Sequence, residues 1–349
     1  MKFILPILLV FSLLLCSCSV DSLGDIISSI TGNTTEPEHV IPEYGYPDGS
    51  EPEEKPNEDP EENPGEDNKD DNNDKEDTDV ELVRRSLEGK TIVNFGDSIF
   101  GLNSGTGTEV SAVLADITGA TVYNSGYGGC RMASYLKADG SINEPWDAFS
   151  MYRLVDAIVS GDFSYQEAAF GFNEPNMRAY FKTHLNTLKS LDFNKVDIVT
   201  ISFGTNDFTS SKNNPKAVGE NKYNTHALEG ALRYSIEKLH KAYPNLEIYV
   251  STPIYRTWFN SDKTAITGDS TTYKNKFGYV LADYCKMIED VVAEYDYVTI
   301  IDAYRGTGFN AENRAEYYAD PNKDLTHLGE TGRKVLAEYM AEIMCTQYK

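Results

Sequence analysis

Val196-Asp197-Ile198-Val199-Thr200-Ile201-Ser202-Phe203 is largely apolar and β-branched over eight residues. A strand with one wet face would alternate polar and apolar positions. This run does not, so it predicts a strand buried on both faces, as in a parallel sheet covered by helices. Four further short β-rich runs surround it, at residues 91–94, 121–123, 247–251 and 298–301. Helical patterns fall between and after them. One covers residues 227–240 and ends before Pro244. Another covers 332–344 and places Val335, Leu336, Tyr339, Met340 and Ile343 on one face. Strands alternating with helices predict an α/β fold around a parallel sheet. Residues 131–194 are long for one crossover and are read as added helices and loops, Trp146-Asp147-Ala148-Phe149 among them. Two readings of that stretch stay open: it shapes a substrate cleft, or it is a structural excursion.

In an open α/β sheet, ligands bind beyond the carboxyl ends of the strands. Four short motifs fall at such places. Phe95-Gly96-Asp97-Ser98-Ile99 follows the first strand and Asn124-Ser125-Gly126-Tyr127-Gly128-Gly129 the second. Gly204-Thr205-Asn206-Asp207 follows the third, and Asp324-Leu325-Thr326-His327 lies between the fifth strand and the last helix. They are distant in sequence, yet the topology brings them to one sheet edge.

The residue types suit acyl transfer. A serine hydroxyl is a weak nucleophile and needs a base, usually a histidine oriented by a carboxylate. Ser98 supplies the hydroxyl. Asp324 and His327 stand three apart, so a local turn lets the carboxylate fix the imidazole tautomer. Charge developing on the substrate oxygen needs donors aimed at it. Gly129 offers a backbone N–H, Asn206 a side-chain amide, and Ser98 its own N–H if it opens a helix. His39, His184, His226 and His240 are given no role.

These four blocks, in this order, resemble those of the SGNH (GDSL-type) serine hydrolases, over roughly residues 87–344. The resemblance implies a flavodoxin-like three-layer α/β/α sandwich with a five-stranded parallel sheet. It implies Ser98 as nucleophile, His327 as base and Asp324 as its orienting carboxylate. Ser98, Gly129 and Asn206 would form the oxyanion hole, with no cofactor and no metal. Leu325 stands where many members of the family carry glycine. The activity implied is ester hydrolysis, with removal of O-acetyl groups from a carbohydrate as the expected reaction. Hydrolysis of small or lipid esters is the alternative enzyme reading. A surface glycan-binding lipoprotein that retains the fold is the non-enzymatic one.

Substrate contacts outside the four blocks are less determined. Arg131 either meets substrate or pairs with an acidic neighbour. Tyr255, Arg256 and Trp258, with Phe259, follow the fourth strand on the active side of the sheet. Their rings would stack on a sugar or line an acyl pocket, or else anchor the loop.

The amino-terminal part reads as address and spacer. Lys2 precedes an apolar core that ends in Leu15-Cys16-Ser17-Cys18. That core is short for a bilayer span and fits a signal peptide. Residues 1–17 are the expected lipoprotein signal peptide, with Cys18 as the lipidated residue and a membrane anchor. The chain would then be exported, on the cell surface or in the periplasm. Residues 18–80 are expected to be an acidic, proline-rich linker, and 81–349 the hydrolase domain. Between positions 35 and 80 there are 19 acidic and 3 basic residues, and half of the fourteen prolines. A segment so poor in apolar residues cannot offset its ordering entropy and should stay extended. It holds most of the formal net charge of −24. No basic footprint for nucleic acid remains, and a polyanion would be repelled. If Cys18 is acylated, Cys130, Cys285 and Cys345 remain: too few for a disulfide framework, though one bridge stays open. No cysteine or histidine spacing suggests a metal.

Overall fold

The computed structural model describes residues 86–348 except 173, 175, 176, 218 and 220. The expected signal peptide, the lipidation site Cys18 and the linker at 18–80 lie outside the described residues.

The chain enters through β1 (Thr91–Gly96), turns through α1 (Ser98–Gly101), and returns by α2 (Val110–Thr118) to β2 (Thr121–Gly126). The long insertion follows, carrying α3 (Glu144–Asp147), α4 (Met151–Ser160), α5 (Ser164–Ala169) and α6 (Ala179–Ser190). Then come β3 (Ile198–Ser202), α7 (Thr205–Thr209), α8 (Leu228–Ala242) and β4 (Glu247–Ser251). A hairpin of β5 (Thr257–Phe259) and β6 (Ile266–Asp269) leads to α9 (Leu281–Val292) and β7 (Val298–Ile301). The last stretch holds α10 (Ala303–Gly306), α11 (Arg314–Tyr317), β8 (Tyr318–Asp320), β9 (Asp324–Leu328) and α12 (Glu330–Gln347).

Five strands form one all-parallel sheet in the order β2-β1-β3-β4-β7. The order reverses at β1, so the loops after β1, β2 and β3 meet at a topological switch point. The five strands stand where sequence patterning places them, with β1 and β2 running on to the glycines that open their loops. The expected helices are also present and slightly longer, at Leu228–Ala242 and Glu330–Gln347.

Burial on both faces explains the apolar strand 198–202. Val199 and Ile201 face a core shared with α4, α6, α8 and α9, together with Val93, Phe95, Ile248 and Val250. Ile198 faces the other side with Ile92 and Tyr249, against Val110 and Leu114 of α2 and Leu336 and Met340 of α12. Each such side chain contributes about 1.5–3 kcal/mol by leaving water. Among the buried polar residues of the sheet, Asn94 is satisfied: it donates to Ser111 Oγ (3.0 Å) and accepts from Thr200 Oγ1 (2.9 Å).

Two features differ from expectation, and a third decides a question the sequence leaves open. The two antiparallel hairpins, β5–β6 and β8–β9, are not seen in the patterning, because each is two short strands with little alternation. Asp324 to His327 therefore lie on a strand rather than in an open turn, and Leu325 is buried in the core beneath it. Cys130, Cys285 and Cys345 are free thiols, so no bridge forms among the described cysteines.

Candidate active site

At the switch point β1 ends in Gly96, and Asp97 caps the short helix that begins with Ser98. The Asp97 side chain accepts from the Ile99 amide (2.9 Å). This cap turns the chain sharply enough to leave Ser98 partly exposed while Asp97, Ile99 and Phe100 are buried. A Cβ on Gly96 would lie 2.5 Å from the Phe100 ring, so that turn requires glycine.

The β8–β9 hairpin brings the histidine to this serine. His327 Nε2 lies 2.9 Å from Ser98 Oγ, across 229 residues of chain. On its other side His327 Nδ1 lies 2.7 Å from Asp324 Oδ2. Asp324 Oδ1 accepts from the backbone amides of Thr326 and His327, both at 3.0 Å. Burial pushes the Asp324 carboxyl up. The bond and charge of His327 and the two amides oppose this and hold it at about 2. A carboxylate only accepts, so Nδ1 carries the ring proton. Nε2 then presents its lone pair to the serine hydroxyl.

The loop after β2 forms the opposite wall. Gly129 has φ +78°, in the region that favours glycine. Asn206 Nδ2 donates to Cys130 O (3.0 Å) and to Asp97 Oδ2 (3.2 Å), so both amide hydrogens have partners in the free protein. Burial raises the Asp97 carboxyl to about 6, against the Ile99 amide and the charges of His327 and Arg256. The neighbouring Asp207, quoted in its motif but given no role, accepts from the amides of Met132 (2.9 Å) and Ala133 (3.0 Å). Burial raises its carboxyl too, and those two amides oppose the shift. One turn of α7 thus staples residues 130–133.

Ser98, His327, Asp324, Gly129 and Asn206 therefore come together at one edge of the sheet. The four residues offered as substrate contacts are all buried, so of the two readings left open for them the structure favours contact with protein. Arg131 is 5% exposed, donates to Ser210 Oγ (3.2 Å) and Asn213 Oδ1 (3.4 Å), and lies 3.7 Å over the Tyr135 ring. Tyr255 donates to Asp269 Oδ2 (2.9 Å). The Arg256 guanidinium covers the Trp258 ring at 4.7 Å, and Trp258 stacks on Tyr273 at 4.8 Å. Tyr255, Arg256 and Trp258 are all buried, which is the loop-anchor reading. Tyr255 is tied to Asp269 of β6, and Trp258 packs on Phe208 of α7 and on Tyr273 beyond the hairpin, contacts that the sequence does not announce.

Residues outside the four motifs line the site instead. Trp146 of α3 is partly exposed and lies beside Gly129, whose added Cβ would sit 3.4 Å from the indole. Its ring stacks on Tyr135 (5.9 Å between centroids). Tyr180 and His184 of α6 bond to the loop backbone at Gly128 and Gly126. Only spatial proximity identifies these residues. The one sequence signal was the unusual length of the insertion.

Comparison with known proteins speaks to family and fold. Residues 95–335 match the GDSL-like Lipase/Acylhydrolase family. Among solved structures, a Lactobacillus plantarum protein is 17% identical, covering 75% of this chain and 100% of its own, with a TM-score of 0.50. A family two carbohydrate esterase from Clostridium thermocellum, solved with cellohexaose, is 14% identical over 74% of this chain and 65% of its own, with a TM-score of 0.45. At such identity the Lactobacillus plantarum likeness speaks to the fold alone. No curated protein matches the chain.

Proposed function

The chain belongs to the GDSL-like lipase/acylhydrolase family, whose members hydrolyse esters, and from that premise we propose that it removes O-acetyl groups from a carbohydrate through an acyl-serine intermediate on Ser98. The observation that carries the reading is the unbroken relay from Ser98 Oγ to His327 Nε2 (2.9 Å) and from His327 Nδ1 to Asp324 (2.7 Å).

In the first step Ser98 Oγ bonds to the ester carbonyl carbon and its proton passes to His327 Nε2. The carbonyl electron pair moves onto oxygen. That oxyanion takes hydrogen bonds from the amides of Ser98 and Gly129 and from Asn206 Nδ2, which exchanges one of its two present acceptors for it. Collapse expels the sugar hydroxyl, protonated from Nε2. Water then attacks the acyl-serine with His327 again as base, and acetate leaves. Asp324 stays ionised throughout and stabilises the imidazolium.

A carbohydrate on the alcohol side is favoured by the partly exposed Trp146, stacked on Tyr135 beside Gly129. Aromatic faces of this kind pack well against sugar rings. The expected lipid anchor at Cys18 and acidic spacer complete the proposal, placing the domain on a membrane tether in the periplasm or at the cell surface, where glycans are met.

Acetate release from acetylated xylan, pectin, peptidoglycan and mucin glycans, measured for the parent and for Ser98→Ala, tests the reading. The parent should release acetate from at least one class, and Ser98→Ala should lose about 10³-fold or more. Equal rates for the two proteins on any substrate would remove Ser98 from the chemistry.

A further inference from the structure

We propose that α6, within the insertion, braces the oxyanion loop, with Tyr180 and His184 as positioning residues that set where the Gly129 amide points. The inference rests on the ester-hydrolase reading above and deepens it.

The loop Gly126-Tyr127-Gly128-Gly129 holds three glycines. Close approach demands two of them. A Cβ on Gly126 would lie 2.6 Å from the Gly101 nitrogen, and one on Gly128 would lie 2.6 Å from the Tyr180 hydroxyl. Gly129 needs its left-handed φ. Tyr127 is buried and its amide donates to Gly96 O (2.8 Å), but Gly128 and Gly129 have more backbone freedom than residues with side chains would. An oxyanion donor must be fixed before the charge develops, or the enzyme reorganises at the moment of reaction. Something outside the loop has to hold it.

The α7 staple does not reach that far, since Asn206 and Asp207 bond to residues 130, 132 and 133. The glycine segment is held from α6. The Tyr180 hydroxyl oxygen accepts from the Gly128 amide at 3.1 Å. His184 Nδ1 lies 2.8 Å from Gly126 O and donates to it, because a carbonyl can only accept. The two residues are four apart, on one face of the helix. Their rings lie 5.1 Å apart, and burial lowers the His184 pKa, which keeps the imidazole neutral. The helix itself is anchored by Phe181, Leu185 and Leu188, all buried, and Phe181 meets the loop residue Tyr127 edge-on at 5.2 Å. Tyr180 thus occupies the amide immediately before the proposed donor. With the Gly128 N–H committed to α6, the next peptide is restrained and its N–H is left for the substrate oxygen.

Tyr180→Phe keeps the ring and removes the acceptor. In the full-length protein, with an aryl acetate as substrate, kcat should fall roughly tenfold or more while KM stays within about twofold. Affinity for an aryl boronic acid, which forms a tetrahedral adduct on the serine, should fall in step with kcat. A residue that only supported the fold would not couple those two losses. A second pair guards against misfolding of Tyr180→Phe. His184→Asn, which retains a donor, should recover part of the kcat that His184→Leu loses. Parent-like kcat and boronate affinity in Tyr180→Phe, with Ser98→Ala inert, would overturn the brace alone. Equal loss in His184→Asn and His184→Leu counts against it in the same way. A parent that neither cleaves aryl acetates nor reacts with a fluorophosphonate probe would take down both readings.

Discussion

Asp324 reaches His327 across three residues of one strand, whereas the loop after β2 reaches its supports across 52 to 76 residues at Tyr180, His184 and Asn206. Both walls serve one proposed reaction, but they are built on different length scales. On the β9 wall, a single carboxylate takes the imidazole N–H and two backbone amides. The pair would keep its relation wherever the hairpin went. On the β2 wall, the glycine-rich backbone makes a local turn, Cys130 N–H to Tyr127 O (3.1 Å), and otherwise depends on distant segments. It is held by α7 from one side and α6 from the other. A locally determined wall fails through its own residues, and a tertiary wall fails through distant ones.

The strongest way to break this contrast is at the local wall. Asp324→Asn removes the acceptor that fixes the tautomer while leaving a side chain of similar size. We expect kcat on an aryl acetate to fall about 10³–10⁴-fold, with a circular dichroism spectrum like that of the parent. A loss below tenfold would mean that another group orients His327. Next in size is Asn206→Ala, which removes a proposed donor and also the bond to Cys130 O. A loss of about 10²–10³ in kcat is expected, from steady-state kinetics. If KM rises and kcat does not change, Asn206 binds substrate rather than its transition state.

The smallest expected effect is on stability in acid. The Asp324 carboxyl is held at about 2 in the folded chain, against an ordinary 3.8. A depressed carboxylate stabilises the fold above its unfolded pKa. That contribution fades as pH falls from about 4 through about 2. It amounts to about 2 kcal/mol. Urea unfolding of parent and Asp324→Asn should therefore show a parent advantage near pH 6 that narrows by about that amount near pH 2. A constant difference across the range would mean that the carboxylate is no better stabilised in the fold than in the unfolded chain.

Much of this architecture is legible without coordinates, and for identifiable reasons. Residues 196–203 read as a doubly buried strand because Val199 and Ile201 meet one core and Ile198 the other. The positions of Ser98, Gly129 and Asn206 follow from strand ends converging in a parallel sheet. Arg131, Tyr255, Arg256 and Trp258 stay open between substrate contact and scaffold in the sequence because charge and aromaticity beside a strand end look the same whether they meet ligand or protein. Their partners Asn213, Asp269 and Tyr273 decide the matter, and nothing local points to them. Trp146, Tyr180 and His184 sit in the insertion, where periodicity indicates helices but not which face meets the loop.

Sequence alone determined the α/β class, the five central strands and the four motifs, because burial periodicity and short spacings are properties of adjacent residues. Only the tertiary structure decided which helix holds the proposed oxyanion loop, that β8 and β9 carry the histidine to Ser98, and that Tyr255, Arg256 and Trp258 after β4 are buried. Those outcomes depend on contacts between segments that sequence does not order by proximity, so packing selects them only once the sheet exists.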